Sequence, residues 1–448
     1  MLQFRFFPDV SDVVKYQGPD STNPFAFKFY DPARVVAGKT MSEHLKGSLA
    51  AWHFLGGGGR DPFGDATARL TWPLVPANWD DVQTRLDALG EAMNILGLNY
   101  TFHDFDLVMQ GRNWKESKEN LDRLGKMLVK MQAATGRKCS WTTQNHFSDP
   151  RYMVGAGTSC EFNSWAFAGA QVKAALDLGK ELDADGHVFW GGREGPSSML
   201  TYDLGAALDR RAAALHGAVE YKRKIGFRGD FRIEPKPKEP TSVQLDSDVG
   251  SCWAFLCHYG LQDDFNFNLE FNHATLAGKP FAFELAYARH LKRLGSVDAN
   301  EGDTLLGWDT DHTPRVAHEA ALAFVEILRN GGLKTGGLNF DAKVRRNSVE
   351  PSDRIVAHVV ALDAYGWGLM AADILLRETA LSQILDRRHA SWKSNSLALR
   401  VGKGEKVTLE ELDQFVLDQP AIPPVPSEQE EECHGLLNFA LAQAVRRL

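Results

Sequence analysis

Three features of the sequence predict an α/β fold, a (β/α)8 TIM barrel with an N-terminal extension and a C-terminal helical arm. Short apolar runs alternate with longer helical patterns about eight times along most of the chain, the signature of a parallel sheet with helices outside. Four successive inferred strands each end in an acid, and a barrel gathers such ends on one face. The 448 residues, 44% hydrophobic and 24% charged, suffice for one barrel and appendages.

The alternation begins with "GSLAAWHF", read as a strand. "DDVQTRLDALGEAMNILG" follows, with Val82, Leu86, Leu89 and Met93 at helical spacing. "NYTFHDFD" is a strand end. "NLDRLGKMLVKMQAATG" is helical and stops at Gly136. "KCSWTTQN" is a strand, "WAFAGAQVKAALDLGKEL" a helix, "GHVFWGGREG" a strand and "LDRRAAALHGAVEYKRKIG" a helix. "FRGDFRIEP", "FNFNLEFNH", "GSVDANEGD" and "TGGLNFDAK" are the remaining strands, with "FELAYARHLKRLG" and "RVAHEAALAFVEILRNGG" as helices among them. "IVAHVVALDAYGWGLMAADILL" carries His358, Asp363 and Asp373 and reads as an amphipathic helix, not a membrane span.

From about Arg387 the composition turns polar. Thr408 and Glu411 have capping-box spacing, "AIPPVP" is a stiff linker, and a terminal helix follows. This tail has too little core to fold alone. The expected division is an N-terminal extension over 1–44, a catalytic barrel over 45–386 and an arm over 387–448 that lies on the barrel or packs on a neighbouring subunit.

A net charge of -8 disfavours nucleic acid, which needs a basic face. Five cysteines without a CxxC pair argue against zinc ribbons and for reduced thiols in the cytoplasm. The first residues lack the apolar region of a signal peptide. "FLGGGGRDPFG" is a flexible loop, since no Gly-Lys-Ser/Thr follows. "EQEEECHG" reads as a solvated helix start.

The chemistry lies at the strand ends. Glu234, Glu270, Asp298 and Asp341 close four successive strands. One such acid is usually a loop carboxylate or a helix cap, but four brought together repel unless cations neutralise them. Oxygen-rich sites of this kind suit Mg²⁺ or Mn²⁺. Asp309 and Asp311 of "GWDTD" stand at i, i+2, so an extended segment would point both to one side. With Glu270 and His273 they form a second ligand set, bridged by Glu270. His103 and Asp106 of "FHDFD" make a proton-transfer pair. Lys236, held between Pro235 and Pro237 in "IEPKPKEP", can neutralise a developing oxyanion.

Across nearly its whole length the chain resembles the xylose isomerases, in their longer type with an N-terminal extension. The resemblance rests on "KYQGPDSTNPFAFKFYDP", "RDPFGDAT", "FHDFD", "VFWGGREG", "IEPKPKEP", "NLEFNHATLAG", "VDANEGD", "GWDTD" and "GLNFDAKVRR", in that order. It implies conversion of D-xylose to D-xylulose, and of D-glucose to D-fructose, by ring opening and a metal-assisted hydride shift. It implies two divalent cations per subunit, Mg²⁺, Mn²⁺ or Co²⁺. Glu234, Glu270, Asp298 and Asp341 would hold one, and Glu270, His273, Asp309 and Asp311 the other. His103, oriented by Asp106, would take part in ring opening, and Lys236 would contact the carbonyl end of the open chain. Trp52 and Trp190 resemble the aromatic walls of the pocket, Thr143 a residue near the far end of the sugar, and Phe63 one lent to a neighbour's pocket. A cytoplasmic homotetramer is implied. Met109, where the family usually has Pro, and the Gly56–Gly59 run depart from the pattern, and both bear on substrate preference. Other enzymes of this type of barrel are another metal-dependent sugar isomerase or epimerase and, more weakly, a DNA endonuclease. A carbohydrate-binding protein on a dead barrel would lack a ligand or Lys236, and every such position is filled.

Overall fold

A computed structural model describes residues 4–448. Eight parallel strands close into a barrel in sequential order. They are β1 (Ser48–Ala50), β2 (Asn99–His103), β3 (Cys139–Thr143), β4 (Gly186–Phe189), β5 (Asp230–Ile233), β6 (Phe265–Glu270), β7 (Leu294–Asp298) and β8 (Leu338–Phe340). Each is followed by a helix: α1 (Trp79–Leu96), α2 (Trp114–Thr135), α3 (Phe162–Glu181), α4 (Leu204–Ile225), α5 (Val249–His258), α6 (Phe281–His290), α7 (Ala317–Arg329) and α8 (Pro351–Glu378). β8 pairs with β1 through Asn339 opposite Ser48, which closes the ring.

The helix ends follow from local chemistry. Asn78 accepts hydrogen bonds from the backbone N–H groups of Asp80 and Asp81 and so starts α1, and Gly97 ends it at φ 74°. Asn113 and Gly136 bracket α2 in the same way. Outward strand residues such as Phe102, Phe267, Leu269 and Val297 are buried against this ring of helices. Inside the barrel the lower layer is polar. The Asn339 carboxamide oxygen accepts from Ser48 Oγ at 3.2 Å and from Thr101 Oγ1 at 2.8 Å.

Four local expectations change. In "GSLAAWHF" only Ser48–Ala50 is strand, and Ala51–Phe54 is a helical turn. The strand ending at Glu270 passes directly into a helix, Phe271–Leu276, which carries His273. Asp311 is not in an extended segment but at φ 43°, in the left-handed region. Helix α8 is not amphipathic. It is long and apolar enough to cross a membrane by length and composition, yet 78% of its most apolar stretch is buried in the protein. It is covered by α7 and by the terminal helix α9 (Glu430–Arg446). Gly366 lets the Tyr30 backbone approach, since a Cβ there would lie 2.9 Å from Tyr30 Cα.

The segment before β1 is part of this packing. Phe6, Phe7 and Val10 are buried, and Phe7 meets Phe54 and Trp72 with ring centroids 6.0 and 5.6 Å away. The Asp363 carboxylate on α8 accepts from the backbone N–H groups of Lys28, Phe29 and Tyr30 at 3.0, 2.8 and 2.8 Å. The tail divides in two. Residues 387–429 are mostly exposed. Helix α9 lies on its own barrel, with Leu437, Ala440 and Ala444 buried and Leu441 O accepting from Trp367 Nε1 at 2.9 Å.

Candidate metal centre and sugar pocket

A cavity of about 350 Å³ opens at the C-terminal ends of the strands. Twelve of the fourteen residues singled out in the sequence line it: Trp52, His103, Asp106, Thr143, Trp190, Glu234, Glu270, His273, Asp298, Asp309, Asp311 and Asp341. Lys236 joins them through Asp309, its Nζ 2.7 Å from Oδ2, and lies 5.2 Å from the centroid of the Trp190 ring. Phe63 does not: it is 92% exposed on the loop after β1, outside this chain's own cavity.

The acids fall into three groupings whose potential ligand atoms lie within 4.8 Å of one another. They are Glu234 with Glu270 and His273, Glu270 with Asp298 and Asp341, and Glu270 with Asp309 and Asp311. Glu270 belongs to all three, because β6 places it between its neighbours, with Asp298 directly opposite on β7. Its carboxyl is pushed well above the usual carboxylate range by burial and then by the charges of Asp309, Asp341 and Asp311. Burial and the charge of Asp298 do the same to Glu234 and to Asp341. Asp298 is raised to about 6, chiefly by burial. Asp309 and Asp311 remain ionised. Burial opposes this, but Lys236 and His273 outweigh it at Asp309, and Lys343 with His53 at Asp311.

This donor set fits divalent cations. Six carboxylates, five of them buried, and one imidazole converge, and the cations among them do not balance the charge, so three acids can ionise only at a high cost unless more positive charge arrives. Oxygen ligands with a single ring nitrogen suit a hard ion such as Mg²⁺ or Mn²⁺.

The acids are held by asparagines that the sequence reading did not single out. Asn268 Nδ2 donates to Glu234 at 2.7 Å and to Asp298 at 2.8 Å. Asn339 Nδ2 donates to Asp298 at 2.8 Å. Asn300 Nδ2 donates to Glu270 at 2.8 Å and to Asp311 at 3.2 Å. Such partners orient ligands and tune the site. The signal was present: Asn268, Asn339 and Asn300 each stand two residues from a predicted acid, on the same face of an extended chain. His53 was also missed. Its Nε2 lies 3.1 Å from both Asp311 and Asp341, and its position beside Trp52 in a short helical turn gave no strand-end signal.

The opposite side of the cavity is aromatic. Trp52, His103, Phe147 and Trp190 pack edge to face, with His103 4.6 Å from Trp52 and Phe147 4.7 Å from Trp190. His103 Nδ1 is 2.9 Å from Asp106 Oδ2, which also accepts from the His103 backbone N–H at 2.7 Å. Burial lowers the affinity of the ring for a proton, but Asp106 outweighs it and the pKa is raised. Thr143 Oγ1 and Trp190 Nε1 are buried without a hydrogen-bond partner among the described residues. Groups of that kind await a polar ligand.

The chain is 44% identical to a xylose isomerase of Thermotoga petrophila over 445 residues, 99% of each chain. It is 46% identical to a xylose isomerase of Shouchella clausii over 93% of each. It is 47% identical to a xylose isomerase of Geobacillus kaustophilus over 388 residues, 86% of this chain and 87% of that one. No protein-family profile matches it. Among solved structures, a D-psicose 3-epimerase with D-tagatose from Clostridium cellulolyticum is 12% identical over 72% of this chain and 99% of that chain, with a TM-score of 0.48.

Proposed function

Since the chain belongs to the xylose isomerase family, we propose that it interconverts D-xylose and D-xylulose, and D-glucose and D-fructose, in the cavity at the C-terminal end of its barrel. The observation that carries this reading is the meeting of six carboxylates, five of them buried, and His273 with an aromatic wall in one cavity, beside the buried Lys236 ammonium that holds Asp309.

We assign Glu234, Glu270, Asp298 and Asp341 to one divalent ion and Glu270, His273, Asp309 and Asp311 to a second. Bound there, such ions supply electrophilic polarisation of the sugar oxygens O1 and O2. The protein groups do the rest. His103 Nε2, left free because Nδ1 is bonded to Asp106, exchanges a proton with the ring oxygen as the sugar opens. The Lys236 ammonium donates to the oxygen at C1 as negative charge builds on it. Thr143 Oγ1 hydrogen-bonds a hydroxyl at the far end of the chain. Trp52, Phe147 and Trp190 exclude water, which favours passage of hydrogen from C2 to C1 as hydride over exchange through the solvent.

The experiment is to strip the protein with EDTA, add D-xylose labelled with deuterium at C2, and measure xylulose with and without Mg²⁺ or Mn²⁺. Xylulose that forms only with the ion and keeps its deuterium at C1 is the expected result. Product without added ion, or label lost to water, would overturn the mechanism.

The exposed Phe63 and the exposed run 387–429 support an assembly, which we assign as a tetramer in which Phe63 enters a neighbour's cavity and this run lies on a neighbouring subunit. Light scattering that returns a fully active monomer would remove this assignment.

A further inference from the structure

At the other end of the barrel a second cavity, of about 730 Å³, opens among the N-terminal ends of the strands. Its lining is basic, although the whole chain carries a charge of -8. Lys46, Arg137, Lys138, Arg228, Arg232 and Lys334 face it, against three acids, Glu43, Asp183 and Asp185. Asp230, beside Arg232, still leaves a surplus of two positive charges.

Arg232 is the centre of this arrangement. It points from β5 into the barrel and is fully buried. Its Nη2 lies 3.5 Å from Asp185 O and 3.7 Å from the Asp230 carboxylate, both too long for strong bonds. Its Nε and Nη1 have no partner among the described residues. A buried guanidinium with unpaired N–H groups is costly unless an acceptor reaches it. The space around it is built for that side chain. A Cβ on Gly186 would lie 2.6 Å from Arg232 Nη1, and one on Gly295 3.3 Å from its Cδ. Gly47, Gly97, Gly229, Gly336 and Gly337 line the same mouth, so it is not filled by side chains.

We propose that this mouth is an anion site for a phosphate group, either free phosphate or the phosphate of a small phosphorylated metabolite. A guanidinium in a fixed fork offers paired donors to a tetrahedral oxyanion, and the surrounding ammonium and guanidinium groups supply charge. The volume admits more than the bare ion. The site is separate from the catalytic cavity: Trp141 lines both and stands between them, with Arg232 Cζ 5.7 Å from its ring.

The test is calorimetric titration of the metal-loaded, full-length protein with inorganic phosphate and, separately, with glucose 6-phosphate. Saturable binding of one anion per chain is expected. The rim variant Lys138→Gln/Arg228→Gln is expected to weaken it by about tenfold or more without changing xylose turnover. Arg232→Met is expected to abolish it; should that variant fail to fold, the rim variant decides. Tighter binding of the sugar phosphate identifies a phosphorylated metabolite, and equal binding the free ion; both outcomes uphold the site. No saturable binding, or binding unchanged in the rim variant, would overturn it, the latter placing the anion at the catalytic end.

Discussion

Neighbouring carboxylates outweigh burial at both His103 and Lys236 and favour their protonated forms, and variants separate their roles. Asp106 raises the His103 pKa against the effect of burial, so the ring keeps its proton to higher pH than an isolated imidazole. In Asp106→Asn that pKa falls. The alkaline limb of kcat/KM should then move to lower pH and kcat drop by roughly 100-fold or more, the usual weight of a positioned acid–base group. An unmoved limb would remove Asp106 from proton transfer. Lys236 stays protonated because Asp309 and Glu239 outweigh burial. Lys236→Ala should lose roughly 100- to 1,000-fold in kcat, as when an oxyanion donor is removed, while metal content measured by elemental analysis stays at the wild-type level. Wild-type turnover in that variant would exclude Lys236 from the chemistry. The sequence exposed these two residues because each sits at a strand end beside an acid or between prolines. It did not expose Asp104, the first acid of "HDFD". Burial raises that carboxyl to about 6 while Gln171, 67 residues further along the chain, and backbone N–H groups hold it; such distant partners leave no mark in the motif.

At the scale of elements, the eight strands and the acids that end them were legible because a barrel strand is short, apolar and followed by a helix with caps. What was not legible came from tertiary contacts. The few charged residues of helix α8 suggest a wet face, the mark of an amphipathic helix. Asp363 instead faces inward, where three backbone N–H groups of the N-terminal segment supply its partners, and Gly366 admits the backbone of that segment. Asp363→Ala should strand those three donors and cost about 3 kcal/mol or more, read as a lower urea midpoint; an unchanged midpoint would mean that water replaces the carboxylate. The asparagine ladder makes a comparable claim on β6. Asn268→Ala frees both Glu234 and Asp298 and should weaken divalent-ion affinity by roughly 10- to 100-fold with the fold intact by circular dichroism. Full affinity in that variant would show that the barrel alone orients the acids.

For the whole molecule the proposed metal centre should also act on stability, with a sign in pH that follows from the raised carboxyls. Without ions, Glu234, Glu270 and Asp341 have folded pKa values well above their ordinary ones. A group of that kind stabilises the fold at low pH, where it is protonated, and this contribution is lost as pH rises through the folded value. The stripped protein should therefore weaken as pH rises above the ordinary carboxylate range of about 4. Ions bind the deprotonated acids and remove the penalty, so the gain in Tm on adding Mn²⁺ should be largest near pH 8 and shrink toward pH 5. A gain that is flat with pH, in scans of stripped and loaded protein, would contradict this account.

The closure of the ring by β1 and β8 has a consequence for the newborn chain. Ser48 and Asn339, which share a hydrogen bond across that seam, are 291 residues apart. At about 5–20 residues per second, the ribosome needs roughly 15–60 s to supply the partner. Until then β1 has a bare edge, open to any other extended chain. The Asp363 clamp on the N-terminal segment arrives later still. Crowded synthesis should thus be hardest on this protein before its last strand emerges, and a chaperone that shields an open half-barrel should raise the yield of active enzyme more than one that acts on the finished chain.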